Sequence, residues 1–400
     1  MDFHDTPEDA GFRQQVREYI AAACPAELQA ADHEWGSLSG GSRREIDPEL
    51  VRGWRRRLAE RGWLAAAWPK EYGGAGMSVV QQFILSEELA EARAPAAGGI
   101  GIGWAGPTII LYGTPEQKRE FLPPILTDAA AWCQLFSEPG AGSDLASLQT
   151  RAERDGDDYV VSGQKIWTSG AHRADWGIML ARTDPDAPKH RGISYLLVDM
   201  KAPGISVQPL VNMVGNHDFN QVYFENVRVP RKNLLGEENR GWYVGASTLD
   251  FERSSIAASV RQELIVKDLI DEFRRSPGRP WARLAPRPPV KRMLAERLIE
   301  ANVGRLLSYR VVSMQQRGLV PNYEASIAKL YASELEQRVA AAAMAAIGLY
   351  SQVRDAKHGL PFGGRVPRFY LYASPSTIGG GTGEIQRNII ATRGLGLPRA

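Results

Sequence analysis

Apolar residues recur at helical spacing along the first third of the chain. They lie four residues apart in two runs, Phe12, Val16, Ile20 and Leu50, Trp54, Leu58. The second run follows Asp47-Pro48-Glu49, a sequence that favours the start of a helix. A capping hydroxyl, a proline at the first helical position and a glutamine occur together in Thr114-Pro115-Glu116-Gln117. This signal predicts a helix that begins at residue 115 and ends near Pro123-Pro124, so the first third is expected to be α-helical.

After Trp132 the pattern changes to short β-rich runs. The runs are YVVSG, IMLAR, ISYLLVD and VYFENVRV, and turn sequences such as Asp155-Gly156-Asp157 and Asp184-Pro185-Asp186 separate them. Short runs rich in Val, Ile and Tyr are typical of strands. The middle of the chain is therefore predicted to be a β domain with a barrel-like form.

Helical patterns return after Gly236. They cover residues 240–275, 291–318 and 321–349, and the basic, proline-rich stretch Arg274–Pro289 is interpreted as a connector. Helices followed by strands and then by helices exclude a repeating βαβ chain. The sequence predicts an α+β fold in three parts, an N-terminal α-helical domain at 1–128, a middle β domain at 129–236 and a C-terminal helical bundle at 237–400.

Charge and cysteine content narrow the possible functions. The chain has 48 Lys plus Arg and 46 Asp plus Glu, a formal charge of +2, so nothing favours nucleic acid or anionic membranes as partners. Cys24, Cys133 and six histidines form no spacing typical of a metal site or a disulfide framework. The acidic N-terminal sequence lacks an apolar signal-peptide core, and no apolar run approaches the roughly 18 residues of a membrane span. A cytoplasmic enzyme without a metal is expected.

Three glycines, Gly101, Gly103 and Gly106, match the letters of a dinucleotide-binding GxGxxG motif. That motif requires a strand directly before it and a helix that opens at it. Here the glycines follow the helical, alanine-rich sequence SEELAEARAPAAGG. Close packing of helices through small residues is therefore the better interpretation.

A second glycine-rich segment is more specific. It runs from Trp132 to Asp144 (WCQLFSEPGAGSD), and GQKIWTSG follows at Gly163–Gly170. Its turn offers unobstructed backbone N–H groups, and Ser137 and Ser143 add hydroxyl donors, so it can hold a flavin edge or the polar arm of a substrate. These two stretches, with GGGTGEIQRN at Gly379–Asn388, resemble the flavin-binding signatures of the acyl-CoA dehydrogenase family. The order of helices and strands resembles that family's architecture.

The resemblance implies that the chain binds FAD and gives individual residues a place around it. The residues expected at the isoalloxazine ring are Gln134, Phe136, Ser137, Trp167 and Ser169, the last near the reactive nitrogen. Gly142 and Ser143 are expected toward the pyrophosphate or the substrate thioester.

The closing motif is expected at the adenosine end of the cofactor. The last helix is predicted to begin near Gly383, so that its N-terminus faces polar cofactor atoms. Thr382, Glu384 and Gln386 would reach the adenosine by resemblance, although Glu384 is equally explained as a carboxylate that complements the helix dipole. Arg387 is interpreted as a solvated or ion-paired helix residue.

Dehydrogenation of a thioester requires a base for the α-proton while the β-hydride leaves for the flavin. Many family members carry that glutamate directly before the Gly-Thr of the last motif, where this chain has Gly380. An isovaleryl and long-chain branch carries it on an earlier helix, which Thr248–Ser255 resembles. The resemblance makes Glu252 the candidate base and Arg253 the contact to the nucleotide part of the thioester, with Asp250 on the opposite helix face. The space at residue 380 suggests a branched or bulky acyl group.

The resemblance also implies partners. An electron-transferring flavoprotein or a similar acceptor would reoxidise the flavin, and the usual tetramer of the family predicts a homotetramer or a heterotetramer with a paralogue. Arg292 is a candidate for a contact to a neighbouring subunit's flavin, although an exposed charge at a helix start explains it more simply. Two other functions stay open, a flavin monooxygenase on the same scaffold and a less active subunit of a heteromeric dehydrogenase.

Overall fold

Helices occupy the first third of the protein in the computed structural model, which describes residues 5–32, 47–96, 98–250, 256–354 and 361–398. They are α1 Pro7–Ala23, α2 Ala26–Asp32, α3 Pro48–Glu60, α4 Val79–Glu91, α5 Gly106–Tyr112 and α6 Pro115–Leu126. The hydroxyls of Thr6, Ser78 and Thr114 accept backbone N–H groups in the first turns of α1, α4 and α6. The predicted helix starts at residues 48 and 115 are confirmed.

The predicted end of α6 was too early. The helix continues through Pro123 and Pro124 to Leu126. Proline lacks the N–H that would bond to the carbonyl four residues earlier, here those of Arg119 and Glu120. Both residues are exposed, so water can satisfy their carbonyls and the helix tolerates the prolines.

Seven strands form a half-barrel sheet in the middle of the chain. They are β1 Trp132–Leu135, β2 Arg151–Asp155, β3 Asp158–Lys165, β4 Trp176–Arg182, β5 Ile193–Asp199, β6 Ile205–Val211 and β7 His217–Pro230. The sheet order is β1-β4-β2-β3-β7-β6, and β5 pairs with β4. Strands β1 and β4 run parallel, whereas β3 and β7 are antiparallel. The four predicted β runs lie in β3, β4, β5 and β7 and are confirmed.

Helices return after the sheet, as predicted. They are α7 Gly241–Asp250, α8 Ile256–Arg275, α9 Pro288–Gln316, α10 Tyr323–Ile347, α11 Arg365–Tyr372 and α12 Gly383–Ile389. The connector is shorter than predicted because α9 begins at Pro288, and proline in the first turn needs no N–H partner. The helix predicted near Gly383 is confirmed. None of the helices in the described ranges combines the length and the apolar character needed to cross a membrane.

The chain packs as two compact units. One comprises residues 52–76 and 97–252, and the other comprises residues 1–51, 77–96 and 253–400. In the first unit, buried side chains of the sheet such as Leu135, Val161 and Phe224 form the core. In the second unit, α8, α9, α10 and α11 share a core that includes Leu335 and Phe369. The α+β fold is confirmed, while the domain boundaries near residues 128 and 236 stay predictions.

The glycines of the GxGxxG match belong to helical structure. Gly101–Ala105 form a π-helical turn that leads into α5. A Cβ atom on Gly106 would lie 1.8 Å from Cζ2 of Trp68, so only glycine fits there. The Trp68 indole N–H donates to the Ile102 carbonyl at 3.1 Å. The predicted close packing is confirmed at Gly106, whereas a Cβ atom on Gly103 would meet no atom within 4 Å.

Candidate active site

The two signature segments leave the ends of β1 and β3 and lie side by side. The Ile166 N–H donates to the Ser137 carbonyl at 2.9 Å, directly after both strands have ended. Strand β1 is held by parallel pairing with β4, and β3 is held by antiparallel pairing with β2 and β7. The sheet therefore brings together two stretches that lie about 30 residues apart in sequence.

The glycine-rich segment forms a tight turn with an open outer side. Glu138 and Ala141 exchange two backbone hydrogen bonds, of 2.9 and 3.0 Å, across the tip of the turn. A Cβ atom on Gly140 or Gly142 would meet no atom within 4 Å. Ser143 is exposed beside them. The backbone of this turn is thus accessible to a ligand, as predicted for Gly142 and Ser143.

Lys165 connects the two segments through hydrogen bonds in the protein interior. Its ammonium group is fully buried and donates to the Glu138 carboxylate at 2.7 Å, the Phe136 carbonyl at 3.0 Å and the Leu180 carbonyl at 2.8 Å. An ammonium group has three N–H donors, and all three are used here. The pair therefore fixes the turn after β1 against the ends of β3 and β4.

The Glu138 carboxylate is also held by the backbone. It accepts the N–H of Gln149 at 2.7 Å and that of Thr150 at 2.9 Å. Burial raises the pKa of Glu138, but the charge and hydrogen bond of Lys165 outweigh it and lower the pKa below its ordinary value. For Lys165, burial is the larger influence and lowers the pKa. Both charges are satisfied, so the pair acts as a support for the site.

Trp167 is exposed in a strained backbone conformation. Its φ is 61°, a region that residues with a side chain adopt at an energetic cost, and 61% of the residue is exposed. Its ring contacts the edge of Phe219 at a centroid distance of 6.0 Å. Thr168 is buried and Ser169 is exposed, so Trp167 and Ser169 both present their side chains outward. A large exposed aromatic in a strained turn is typical of a ligand-binding surface.

Three buried polar atoms on these segments make no hydrogen bond within the described residues. They are Nε1 of Trp132, Nε2 of Gln134 and Oγ1 of Thr168. Buried polar groups are nearly always paired, so unpaired ones indicate a missing ligand or water. The polar edge of a flavin has both donors and acceptors, and Gln134 and Thr168 fit it. Gln134 was predicted at the flavin, whereas Thr168 was not.

Phe136 differs from the other predicted flavin residues. Its ring is 4% exposed and packs edge-on against Tyr195 at a centroid distance of 5.8 Å. A ring held in this way belongs to the core, and the Phe136 carbonyl is already bonded to Lys165, so a contact between Phe136 and the flavin stays a prediction.

The closing motif caps α12 in the second unit. Thr382 is the N-cap residue, and its hydroxyl accepts the Ile385 N–H at 3.2 Å. First-turn backbone contact and the Thr382 hydroxyl lower the pKa of Glu384, which matches its interpretation as a dipole-complementing carboxylate. Gln386 donates to the Gly380 carbonyl at 3.2 Å. Arg387 is ion-paired with Glu334, as predicted.

Residue 380 is unsuited to a catalytic glutamate in this conformation. Gly380 has a φ of 65° and Gly381 a φ of 86°, so both lie in the left-handed region. A side chain there would add about 1–2 kcal/mol of backbone strain. The Lys329 ammonium group holds the Gly381 carbonyl at 2.9 Å.

Some predicted residues are not part of this geometry. Glu252 and Arg253 lie outside the described residues, and the side chain of Asp250 is likewise not described. Arg292 lies exposed, as the fifth residue of α9. Among the described residues, no three His, Cys, Asp or Glu side chains come together as a metal site.

Family models and several similar proteins carry the description acyl-CoA dehydrogenase. Models of the acyl-CoA dehydrogenase N-terminal, middle and C-terminal domains match residues 6–129, 133–227 and 239–395. The chain is similar to the acyl-CoA dehydrogenase IpdE1 of Mycobacterium tuberculosis, with 38% identity over 97% of each chain. It is similar to the solved Tcur3481-Tcur3483 steroid ACAD, with 33% identity and a TM-score of 0.85 over 100% of both chains. The ChsE4-ChsE5 complex from Mycobacterium tuberculosis gives 38% identity and a TM-score of 0.83 over 100% of both chains.

Proposed function

The chain belongs to the acyl-CoA dehydrogenase family, and on that premise we propose that it oxidises a bulky, ring-bearing acyl-CoA or acyl-carrier thioester to the 2-enoyl thioester with FAD. The fold and the relatives make it an oxidoreductase that acts on CH–CH bonds. One observation carries the FAD assignment. The two signature segments present exposed Trp167 together with the unpaired buried atoms of Gln134 and Thr168.

The described residues bind and orient the cofactor in this proposal. Bound FAD supplies a hydride acceptor for the β carbon of the substrate. Trp167 would lie against the flat face of the flavin ring, and the Gln134 amide and the Ser169 hydroxyl would hydrogen-bond to its polar edge. The open backbone of Gly142 and the hydroxyl of Ser143 would bind the pyrophosphate or the thioester. The buried Lys165–Glu138 ion pair holds the two signature segments in a fixed relative position.

We assign the removal of the substrate's α-proton to the carboxylate of Glu252. The support is chemical: the reaction needs a base, and the family's usual position is Gly380, where a φ of 65° disfavours a side chain. Arg253 would then contact the nucleotide part of the thioester. Both roles rest on the resemblance of Thr248–Ser255 to the isovaleryl and long-chain branch.

The proposed substrate class has two supports. Residue 380 is a glycine and has no side chain where many family members carry the catalytic glutamate, and the similar Tcur3481-Tcur3483 protein is described as a steroid ACAD. A rigid polycyclic or branched acyl group needs more width than a straight chain. We therefore expect ring-bearing thioesters to react faster than straight-chain thioesters of similar mass.

A heteromeric assembly with a paralogue is the proposed quaternary state. The similar ChsE4-ChsE5 structure is a complex of two differently named chains, and the Tcur3481-Tcur3483 structure also carries two names. Arg292 is retained as a candidate contact to a neighbouring flavin. An electron-transferring flavoprotein or a similar acceptor is the proposed onward partner.

Anaerobic titration of the purified yellow protein tests the proposal. The protein would be mixed with straight-chain, branched and ring-bearing acyl-CoA thioesters while the flavin absorbance is followed. We expect a ring-bearing thioester to bleach the flavin in wild type and in the Asp250→Asn control, and to leave Glu252→Gln oxidised. The same titration after co-expression with a dehydrogenase paralogue tests the heteromer.

Two results would contradict the proposal. Bleaching that persists in Glu252→Gln would remove that residue as the base. A flavin that no thioester bleaches, alone or with the paralogue, but that an external reductase reduces before productive oxygen uptake would identify a monooxygenase instead.

A further inference from the structure

A buried amide holds the turn that carries Trp167 and Ser169. Asn220 in β7 is 0% exposed, and its Nδ2 atom donates to the Thr168 carbonyl at 2.9 Å. The Asn220 carbonyl accepts the Thr168 N–H at 3.0 Å. One residue therefore pairs both backbone polar groups at the centre of the turn. The Gly170 N–H adds a bond of 3.0 Å to the Asp218 carbonyl of the same strand.

Two histidines complete the hydrogen bonding of the Asn220 amide. The amide oxygen lies 2.7 Å from Nε2 of His217, and the amide nitrogen lies 3.2 Å from Nδ1 of His172. The two imidazole rings stack with a centroid distance of 4.0 Å and an interplanar angle of 23°. Both rings lie in exposed residues, so solvent protons reach them.

The direction of each hydrogen bond follows from the Thr168 carbonyl. A carbonyl only accepts, so the amide nitrogen of Asn220 must face it. The amide oxygen then faces His217, which must donate from Nε2. The second amide N–H faces Nδ1 of His172, and that nitrogen must be unprotonated to accept it.

Protonation of His172 would oppose this arrangement. An N–H on Nδ1 would meet the N–H of the Asn220 amide, and two donors repel. Partial burial and then the charge of His217 lower the pKa of His172 below 6.5, with Arg173 adding to the lowering and the charge of Asp218 opposing it. Strands β1 and β6 also pack against Ala171–Arg173, the segment that carries His172. Their one titratable residue is Cys133, whose pKa burial raises to about 12, so its thiol stays neutral.

We propose that Asn220, together with neutral His172, is a positioning residue that holds the Trp167–Ser169 turn in the conformation that receives the flavin. The inference rests on the flavin site proposed above. Trp167 stays at a φ of 61° only while its surroundings hold it there. When Asn220 is removed or His172 is protonated, the turn relaxes and Trp167 and Ser169 leave their places.

Replacement of Asn220 tests whether its hydrogen bonds hold the Trp167–Ser169 turn, an arrangement called the clamp below. Asn220→Leu should raise amide hydrogen exchange in a peptide that spans residues 166–170 by about five- to tenfold, as expected for the loss of one hydrogen bond. The same variant should release FAD faster and shift the flavin absorbance. Gln221→Leu is the matched control, because its amide donates to Gln164 at 2.7 Å and not to the turn. It should change neither readout.

A pH series with Asn220 intact tests the role of His172 and does not depend on the folding of Asn220→Leu. In wild type, FAD release and the exchange of the 166–170 peptide, relative to an unfolded reference, should be constant above pH 6.5 and rise as the pH falls below it. His172→Gln keeps an acceptor oxygen but cannot titrate in this range. Its release rate should be flat across the same series.

Failure of this inference can be distinguished from failure of the proposed function. Unchanged exchange in flavin-bearing Asn220→Leu overturns the clamp alone, and faster exchange with unchanged FAD release shows that the turn is not held for the flavin. A pH dependence that persists in His172→Gln overturns the role of that histidine. A wild-type protein that binds no flavin refutes the proposed function and this inference with it.

Discussion

Lys165 and Glu138 form a buried ion pair whose Nζ and Oε1 atoms lie 2.7 Å apart. The two residues belong to different signature segments, 27 positions apart in sequence. Their contact determines how the glycine-rich turn after β1 faces the Trp167 turn after β3. The sequence analysis predicted no role in the site for either residue.

Removal of the lysine alone should destabilise the protein strongly. Lys165→Met leaves the Glu138 carboxylate buried without its counter-charge, which typically costs about 3–5 kcal/mol of unfolding free energy. Urea unfolding measures this loss, and the double variant Lys165→Met/Glu138→Leu should recover much of it. Lys189→Met is the control, because Lys189 pairs with Asp144 at the exposed surface and its loss should cost about 0–1 kcal/mol. Equal losses in both single variants would contradict the prediction.

The same pair should make stability depend on acidity. The pKa of Glu138 is lowered from 4.5 in the folded protein, so the unfolded chain takes up a proton at a higher pH than the folded one. The stabilisation is therefore complete above the ordinary carboxyl pKa and is lost as the pH falls through the folded value. Urea unfolding between pH 3 and pH 7 should show the unfolding free energy of wild type falling more steeply toward acid than that of Lys165→Met/Glu138→Leu. Parallel curves would show that Glu138 does not carry this dependence.

Gly106 should not tolerate a side chain. In Gly106→Ala the new Cβ would lie 1.8 Å from Trp68, and overpacking of this kind costs about 1–3 kcal/mol or more. Gly103→Ala is the matched control, since a Cβ there meets nothing within 4 Å and alanine favours helix by about 1 kcal/mol over glycine. Thermal unfolding should show a lower melting temperature for the first variant and an equal or higher one for the second. A similar fall in melting temperature in both variants would show that the destabilisation comes from the backbone and not from the contact with Trp68.

Trp167 should matter for the cofactor and little for folding. In Trp167→Gly the relief of left-handed strain offsets the lost contact to Phe219 and the added freedom of the unfolded chain, so the unfolding free energy of the flavin-free protein should change by less than about 1 kcal/mol. FAD retention after gel filtration should fall. Trp68→Ala provides the contrast, because that side chain is 2% exposed and its truncation should cost about 3–5 kcal/mol. A large loss of stability in Trp167→Gly would instead make Trp167 a core residue.

Local patterns were sufficient for most of the secondary structure. The cap at Thr114 and the helix starts at Pro48 and Pro115 were predicted because these signals act within one turn of the chain. Strands β1, β2 and β6 were not predicted. Strand β1 has only four residues, β2 reads RAERD with mostly exposed charges, and β6 contains Pro209, so none shows a clear alternating pattern. Their pairing with neighbours, which is a long-range property, makes them strands.

The sequence by itself determined the order of helices and strands, the signature segments and the absence of a glutamate at residue 380, because each of these depends only on residues close together in the chain. Tertiary structure alone decided that Lys165 meets Glu138, that Gly106 lies against Trp68 and that Asn220 holds the Trp167 turn. These contacts join residues 27 to 52 positions apart. Such pairs are set by strand pairing and by the need to satisfy buried polar groups, and no short-range periodicity encodes them.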